Sequence, residues 1–426
     1  MTGFNLETCA RSNILALQPY HCARDDYNVS TSDALLDLNE NAFGPALPAE
    51  ITAVDKDIHP LDLHRYPSRL QEKLKQQLCD FRNTYIHTAK DLVPENVFLG
   101  IGSVESIDAL IRCFCIPGED HILICPPTYG MYAVSSQVNN VGVVSVPLKE
   151  APDFALDMDG ILAALTRTPT IKLTYLTSPG NPTGSLLAKS DVETILAHPT
   201  WNGVVVLDEA YIDFADDDAS LAGLVTEYPN LVVLQTLSKA FGLAGIRLGA
   251  TFAPIPIANL LNNLRAAWNI PSPTSILASY ALSEEGIAAM VANKQKTKLQ
   301  RDRLVDQLPR ISGVGRIRSG SHSNFLMFEI LNTRGEPDNA VAAVVYDRLA
   351  ATRGVILRYR GSEPGCLGCL RISIGTEDET TRFLVALHQV LQGMGNDVYQ
   401  KVEAGSLTAK EPAKEMVDDA DGLKVY

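Results

Sequence analysis

The sequence has no apolar run long enough to cross a membrane and no dense run of basic residues. A membrane-spanning helix needs about 20 consecutive apolar residues, and the apolar stretches of this 426-residue chain are all shorter. Lysine and arginine total 36 against 50 acidic residues, for a formal net charge of −14. Because nucleic acids and anionic membranes are bound through basic patches, neither is expected as a partner. An anionic ligand must therefore be bound by a few local arginines.

Cysteine is present, but not in a pattern typical of metal sites or disulfide frameworks. The eight cysteines are scattered, and the Cys-x-x-Cys from Cys366 to Cys369 is accompanied by no second such pair and no histidine pair. Structural zinc needs four ligands, so we predict no metal and expect reduced thiols. The first residues also lack the basic-then-apolar layout of a secretory signal. These features together predict a cytoplasmic protein.

What is present is an ordinary globular composition, with 46% hydrophobic and 20% charged residues. Between about 97 and 250, apolar strands alternate with helical patterns, and the run Val204 to Leu207 is apolar throughout. Such runs are typical of parallel sheets that are covered on both faces. The sequence therefore predicts an α/β fold with a mostly parallel, doubly wound sheet in a large domain.

A smaller α+β domain is predicted after that sheet. Its expected strands are 324–330, 354–358 and 369–374, with helices near 338–352 and 377–394. A long charged helical pattern from Ser283 to about Leu308 precedes it and is expected to join the two domains. The length of the chain also favours more than one domain. The predicted divisions are an N-terminal arm with part of the small domain (1–60), the large domain (61–285), the small domain (286–396) and a polar acidic tail (397–426).

One lysine lies among small residues at the end of an apolar strand. The strand Leu231 to Leu234 continues into Thr236-Leu237-Ser238-Lys239, and Arg247 follows eight residues later. A desolvated lysine loses its proton and becomes a nucleophile toward an aldehyde. Ser238 and Arg247 are suited to a phosphate. An aldehyde with a phosphate describes pyridoxal 5′-phosphate (PLP), although Lys239 alone fits equally well as a lysine that ends a strand.

Other polar and small residues follow strands at similar positions, where open α/β sheets bind ligands. They are Gly102, Ser103 and Val104 at a helix start, Tyr129 after 122–125, Asn181 in a Pro- and Gly-rich loop, and Asp208 after Val204 to Leu207. A helix start binds phosphate, and a tyrosine ring stacks on a flat ligand. Each of these residues also has an ordinary structural explanation, as a turn, a core tyrosine or a helix N-cap.

Taken together and in this order, the motifs resemble those of the fold-type I PLP-dependent aminotransferases, over about residues 14–395. The resemblance rests on Ser-Pro-Gly-Asn-Pro-Thr-Gly (178–184), Asp-Glu-Ala-Tyr (208–211), Thr-Leu-Ser-Lys (236–239) with Arg247, and Leu-Arg-Ile-Ser (370–373). Finer features are similar to the histidinol-phosphate aminotransferases, namely Leu38 to Asn41, Arg65-Tyr66-Pro67, Gly102 to Glu105 and Gly354 to Arg358. The tail and the loop Gly365 to Cys369 depart from the compact version of this family.

The resemblance implies a role for each candidate residue. Lys239 would bind PLP covalently and move the substrate proton, Asp208 would pair with the pyridinium nitrogen, and Tyr211 with Asn181 would hydrogen-bond the phenolic oxygen. Tyr129 would stack on the ring. The phosphate would be held by Gly102, Ser103, Val104, Ser238, Arg247 and, across a homodimer interface, Tyr66. The substrate would be bound by Tyr20, Asn41, Arg358 and Arg371, with Arg371 on the carboxylate of glutamate.

The reaction implied is transamination of L-histidinol phosphate with 2-oxoglutarate, giving imidazole-acetol phosphate and L-glutamate, in histidine biosynthesis. Two alternatives share this scaffold and stay open. One is an aminotransferase of other specificity, such as aromatic amino acids, and the other is a PLP-dependent decarboxylase of a phosphorylated amino acid. A PLP-binding regulator is less favoured because the sequence contains no recognisable DNA-binding module.

Overall fold

The computed structural model describes residues 3–16, 63–84, 88–150 and 154–394. The helices in these ranges are α1 (Leu6–Cys9), α2 (Ser12–Leu15), α3 (Glu72–Asn83), α4 (Gly102–Phe114), α5 (Met131–Val138), α6 (Met158–Arg167), α7 (Lys189–Leu196), α8 (Ile255–Leu264), α9 (Ser272–Ala281), α10 (Glu284–Gln307), α11 (Asn339–Arg353) and α12 (Glu377–Gln392). The strands are β1 (Val97–Ile101), β2 (His121–Ile124), β3 (Gly142–Ser145), β4 (Ile171–Thr177), β5 (Val204–Asp208), β6 (Leu231–Thr236), β7 (Leu248–Phe252), β8 (Val314–Ile317), β9 (Phe325–Ile330), β10 (Arg358–Tyr359) and β11 (Cys369–Ser373). None of the helices in these ranges is long and apolar enough to cross a membrane.

A seven-stranded sheet in the order β1-β7-β6-β5-β4-β2-β3 forms the larger part of the structure. Strands β3, β2, β4, β5 and β6 pair in parallel, and β7 is antiparallel to both of its neighbours. In β5, Val204 and Val206 belong to one hydrophobic cluster, whereas Val205 and Leu207 belong to another. Because successive side chains point to opposite faces, both faces of this strand are buried. The predicted mostly parallel α/β sheet is confirmed.

A second sheet, in the order β10-β11-β9-β8, is antiparallel throughout. A third hydrophobic cluster joins β9 and β11 to α11 and α12 through Phe328, Leu370, Val345 and Phe383. Helix α12 begins with a capping box, in which Thr376 accepts from the backbone N–H of Glu379 and Glu379 accepts from that of Thr376. The domain boundaries given above stay a prediction, and position 285 falls in the first turn of α10.

One predicted strand is much shorter than expected. The pattern from Gly354 to Arg358 predicts a strand, but only Arg358–Tyr359 pairs with β11. Gly354 is instead the left-handed residue that ends α11, with φ of 60°, and the backbone N–H of Val355 bonds back to Leu349. The chain therefore uses residues 354–357 to leave the helix. Strand β8 is an addition that the sequence analysis did not predict.

Two predicted substrate residues, Tyr20 and Asn41, and the tail 397–426 lie outside the described residues. The described part of the N-terminal arm contains the short helices α1 and α2. Cys9, Cys79, Cys113, Cys115, Cys125, Cys366 and Cys369 are buried free thiols. Burial raises the pKa of Cys79 and Cys125 to about 12, which makes these thiols unreactive near neutral pH.

Candidate active site

The ends of three neighbouring parallel strands bring the predicted site residues together. Thr177 at the end of β4 lies opposite Asp208 at the end of β5, and Asp208 lies opposite Leu234 in β6. The backbone N–H of Ser178 also donates to the carbonyl of Asp208, at 2.9 Å. The Asn181 loop, Asp208 and the segment with Lys239 therefore leave the sheet at one edge, as open α/β sheets arrange ligand sites.

Asp208 is a buried carboxylate with two donors. Its side chain is held by the phenol of Tyr132, at 2.7 Å, and by the backbone N–H of Ala210, at 3.0 Å. Burial raises the pKa of Asp208, while these two donors and the charge of Lys239 act in the opposite direction. The two donors stabilise the ionised carboxylate, and a cationic group of a ligand would stabilise it further.

Tyr132 is a residue of this site that the sequence analysis missed. It lies in the first turn of α5, it is fully buried, and its hydroxyl is also 3.0 Å from Oγ1 of Thr177. Its ring stacks on Tyr175, with centroids 4.7 Å apart, and Tyr129 packs edge-on against it. No local sequence signal links Tyr132 to Asp208, which lies 76 positions further along the chain.

Lys239 reaches into the open part of the site, where the protein lowers its pKa. Partial burial is the largest cause, the nearby charges of Arg371 and Arg247 add to it, and Asp208 opposes it. The amine lies 5.4 Å from the ring centroid of Tyr211. Burial in turn raises the pKa of Tyr211 to about 12, so its phenol is a donor at neutral pH. A lysine with a lowered pKa is the form that attacks an aldehyde.

A glycine turn, a helix N-terminus and a guanidinium form an anion cradle. Gly102 has φ of +71°, and its N–H donates to the carbonyl of Arg247, at 3.0 Å. A Cβ on Gly102 would lie 2.6 Å from Nη2 of Arg247. The first N–H groups of α4, from Gly102 to Val104, have no partner within the helix and carry its positive dipole end. This combination fits a phosphate group.

Ser238 lies in the turn that connects this cradle to Lys239. Its backbone N–H donates to Oγ1 of Thr236, at 3.1 Å, and its hydroxyl is 2.9 Å from the same atom. Thr236 also bonds to the carbonyl of Leu248, at 3.0 Å, which ties the segment to β7. The turn therefore holds Ser238 and Lys239 by its own hydrogen bonds.

Arg371 connects the four-stranded sheet to the loop that follows β4. It donates to Oδ1 of Asn181, and its guanidinium lies 5.1 Å from the ring centroid of Phe325. Tyr211 packs edge-on against the same Phe325, at 5.1 Å. Since Oδ1 of Asn181 accepts from Arg371, the amide N–H groups of Asn181 are the part of this side chain that can donate to a ligand.

Arg358 lies directly opposite Arg371 in the antiparallel pair of β10 and β11. Residues directly opposite in a sheet project from the same face, so both guanidinium groups belong to one side of it. Arg358 is exposed. Two neighbouring cations of this kind are suited to an anionic ligand.

Tyr66 lies on a more open surface. Its ring stacks on Trp268, with centroids 4.4 Å apart and an interplanar angle of 23°, and half of its surface is exposed. Trp268 holds a left-handed backbone conformation, with φ of 55°.

These residues fit PLP as a group. The cradle at Gly102 fits the phosphate, Lys239 fits the aldehyde, and Asp208 fits a protonated ring nitrogen. Asn181 and Tyr211 supply donors for the phenolic oxygen. The donor set is therefore complementary to each polar group of the cofactor.

Comparisons with known proteins agree with this assignment of the cofactor. The family model of aminotransferase class I and II matches residues 33–387. The histidinol-phosphate aminotransferase of Schizosaccharomyces pombe is 47% identical over 391 residues, covering 91% of this chain and 98% of that protein. The crystal structure of histidinol-phosphate aminotransferase from Sinorhizobium meliloti, in complex with pyridoxal-5′-phosphate, is similar with a TM-score of 0.69 and 25% identity, over 84% of this chain and 90% of that one.

A structure of another reaction class has the same fold. The L-threonine-O-3-phosphate decarboxylase of Porphyromonas gingivalis matches with a TM-score of 0.61 and 18% identity, over 78% of this chain and 91% of that one. The fold alone therefore does not separate transamination from decarboxylation.

Proposed function

The chain belongs to the class I and II aminotransferases and, within them, to the histidinol-phosphate aminotransferases, and we propose that it transfers the amino group of L-histidinol phosphate to 2-oxoglutarate. The products are imidazole-acetol phosphate and L-glutamate. The chain is a PLP-dependent enzyme. The observation that carries the proposal is that a buried carboxylate, Asp208 at the end of β5, and a lysine of lowered pKa, Lys239 just after β6, leave the sheet at the same edge.

The chemistry is divided among the residues of this site. When bound, PLP supplies an aldehyde that binds the substrate amine and a ring that accepts the electrons left at its Cα. Asp208 holds a proton at the ring nitrogen. Lys239, once its amine is free, takes the proton from the substrate Cα and moves it to the cofactor carbon. Tyr211 and the amide of Asn181 donate to the phenolic oxygen, and Gly102, Ser103, Val104, Ser238 and Arg247 hold the phosphate.

The substrate anions are bound by the arginine pair of the four-stranded sheet. Arg371 binds the carboxylate of glutamate, and Arg358 with Arg371 binds the phosphate of histidinol phosphate. Their positions directly opposite each other in β10 and β11 support a shared anion site. Replacing the planar fork of Arg358 by a point charge, in Arg358→Lys, should weaken turnover of histidinol phosphate more than that of glutamate. Equal losses for both substrates would contradict this division of roles.

We also propose a homodimer in which Tyr66 of one subunit reaches the PLP phosphate of the other. The exposed side chains of Tyr66, Leu63 and Leu70, and of Leu277 and Tyr280 on α9, support an apolar contact surface. A two-fold axis makes both sites composite. The enzyme is expected to act in the cytoplasm, and the large and small domains are proposed to meet near residue 285.

Mixed dimers test the shared site. A subunit with both Tyr66→Phe and Lys239→Ala, paired with a wild-type subunit, leaves one competent lysine, which faces the altered Tyr66 position of its partner. We expect that lysine to bind PLP with the weakened affinity of the Tyr66→Phe homodimer. The loss of binding free energy should be about 1.5–3 kcal/mol, the value of a hydrogen bond to a charged group. Wild-type affinity at that lysine would place Tyr66 in its own subunit's site or in neither.

A comparison of amino donors tests the function. The purified holoenzyme is mixed separately with histidinol phosphate, phenylalanine and O-phosphothreonine, and the absorbance of bound PLP and the release of CO₂ are followed. We expect conversion of PLP to its amine form with histidinol phosphate, at a rate well above that with phenylalanine. CO₂ release from O-phosphothreonine, or faster conversion with phenylalanine, would overturn the assignment. Lys239→Ala is the control without the reactive amine.

A further inference from the structure

A buried polar network lies behind the candidate site, on the side of the sheet away from Asp208. Glu209 follows Asp208 at the end of β5, and Gln235 lies in β6, four residues before Lys239. Arg82 reaches this region from the end of α3. Arg82, Glu209 and Gln235 are each less than one tenth exposed, with 7%, 1% and 4% of their surfaces accessible.

Gln235 bridges the two charged members. Its carbonyl oxygen accepts from Nε of Arg82, at 2.6 Å, and its amide nitrogen donates to Oε2 of Glu209, at 2.8 Å, and to Oγ of Ser220, at 3.1 Å. The carbonyl and the amide N–H groups are all used, so the amide has one orientation that satisfies the network. Gln235 therefore couples α3 to the end of β5 through the interior of the protein.

Glu209 accepts hydrogen bonds on both carboxylate oxygens. Ser220 donates to Oε2, at 2.6 Å, and the backbone N–H of Leu221 donates to Oε1, at 2.6 Å. Burial raises the pKa of Glu209, whereas its three donors and the charge of Arg82 act in the opposite direction. A protonated carboxyl would place its own hydrogen against a donor, so this geometry matches the ionised form.

The same network reaches the residues after Tyr211. Arg82 donates from Nη1 to Asp213, at 2.8 Å, and both side chains of this ion pair are less than 10% exposed. Asp213 lies two residues after Tyr211, in the turn Ile212–Phe214. Asp208, Tyr211 and Lys239 are thus each within four residues of a side chain that belongs to the network.

We propose that Arg82, Gln235 and Glu209 are positioning residues for the cofactor site, which hold the ends of β5 and β6 so that Asp208 and Lys239 face PLP together. The inference rests on the proposed function. These three residues are not proposed to contact substrate or cofactor. The charged groups that face the site from other elements are Arg371 and Arg247, and those of the network are Arg82, Asp213 and Glu209.

The order of donors and acceptors allows the residues at positions 209 and 235 to be exchanged with each other. In Glu209→Gln the new amide N–H groups face the donors Ser220 and Gln235, and in Gln235→Glu two carboxylates face each other. In the double variant, position 209 donates to position 235, and position 235 accepts directly from Arg82. Each single change breaks the network, whereas the double change restores complementary hydrogen bonding.

The test measures PLP dissociation constants of the reconstituted variants and the pH midpoint of the absorbance of PLP bound at Lys239. We expect each single variant to bind PLP about tenfold more weakly, as for loss of a hydrogen bond to a charged group, and the double variant to recover to within about threefold. The midpoint should fall in Glu209→Gln, which removes a negative charge from the network, and return toward the wild-type value in the double variant, which restores that charge.

Two further variants keep the test decisive. Arg82→Lys retains the charge but loses the Nε bond, and it should weaken PLP binding even if the exchanged variants fold poorly. Asn230→Ala is the control, because Asn230 is 1% exposed and bonds to Leu196 and Gly203 at the opposite end of β6. It should lower the melting temperature without changing PLP affinity or midpoint.

Three results would overturn the inference: wild-type PLP affinity in the single variants and Arg82→Lys, no recovery in the double variant, or a midpoint that does not fall in Glu209→Gln. Failure of the proposed function looks different. The wild-type holoenzyme would then show PLP bound at Lys239 but no conversion of it by histidinol phosphate, whatever the PLP affinities of the network variants.

Discussion

Tyr132 donates a hydrogen bond of 2.7 Å to Asp208, and both side chains are buried. To pair with a protonated ring nitrogen as proposed, Asp208 must stay ionised, although burial raises its pKa. The phenol of Tyr132 and the N–H of Ala210 offset part of that cost. Tyr132 thus stabilises the ionised form of the proposed cofactor partner.

Replacing this phenol should shift the acid side of the activity profile. A hydrogen bond to a charged group is worth about 1.5–3 kcal/mol, so Tyr132→Phe should raise the pKa of Asp208 further. Since the proposed role requires the ionised form, the acid limb of kcat should move to higher pH. Tyr175→Phe is the control, because its phenol bonds to the carbonyl of Ile107 and not to Asp208. An unmoved acid limb in Tyr132→Phe would contradict the role.

The charge of Asp208 should matter more than its shape. Asp208→Asn keeps the size of the side chain but removes the negative charge that holds the proton on the ring nitrogen. A buried charge partner is worth several kcal/mol, so kcat should fall by orders of magnitude. Activity within about threefold of wild type, which is less than 1 kcal/mol of barrier, would exclude this role.

The glycine turn of the anion cradle can be tested against a matched glycine. Gly102→Ala places a Cβ 2.6 Å from Nη2 of Arg247 at a φ of +71°. We expect PLP to bind at least about tenfold more weakly, because the cradle must open. Gly118→Ala carries similar backbone strain, with φ of +80°, but its added Cβ would lie 3.4 Å from Nδ2 of Asn140, an ordinary contact distance. Equal PLP affinities of the two variants, from titration of the apoenzyme, would argue against the cradle.

Lys75 should make the free energy of unfolding depend on pH in the alkaline range. Burial, and secondarily the charge of Arg265, lowers its pKa from 10.5 to about 8. Below pH 8 the cost of burying the charge is fully present. Between pH 8 and 10.5 the folded protein releases this proton while the unfolded chain retains it, so this contribution to stability rises with pH.

The corresponding variant is Lys75→Met, which removes the buried charge. Lys75 also donates from Nζ to Oδ1 of Asn262, at 3.3 Å, and this bond is lost in the variant. After that loss, the free energy of unfolding at pH 7 should increase by about 2 kcal/mol, and the gain should vanish above about pH 10.5. Lys73→Met, at an exposed position of the same helix, should change little. Denaturant unfolding at several pH values measures both, and a gain independent of pH would refute the charge explanation.

Much of the framework was predictable because its signals are local. The apolar runs of β5 and β6 end at Asp208 and shortly before Lys239, and parallel strands bring such ends together. The strand predicted for residues 354–358 was too long. The strand pattern gave no sign that Gly354 takes the left-handed conformation that ends α11.

The supporting residues were not predictable in this way, because their partners are distant in sequence. Arg82 bonds to Gln235, 153 positions away, and Tyr132 bonds to Asp208, 76 positions away. No periodicity or motif encodes such pairs, and only the packing of α3 and α5 against the sheet brings them together.

Lys239 is the proposed PLP-binding residue, and the other proposed roles in the site depend on it. Reduction of the holoenzyme with borohydride, followed by proteolysis and mass spectrometry, identifies the lysine that carries the cofactor. We predict a single modified peptide, labelled at Lys239, and no labelled peptide from Lys239→Ala that still binds PLP through the anion cradle. Recovery of the label on a different lysine in the wild-type protein would contradict the account.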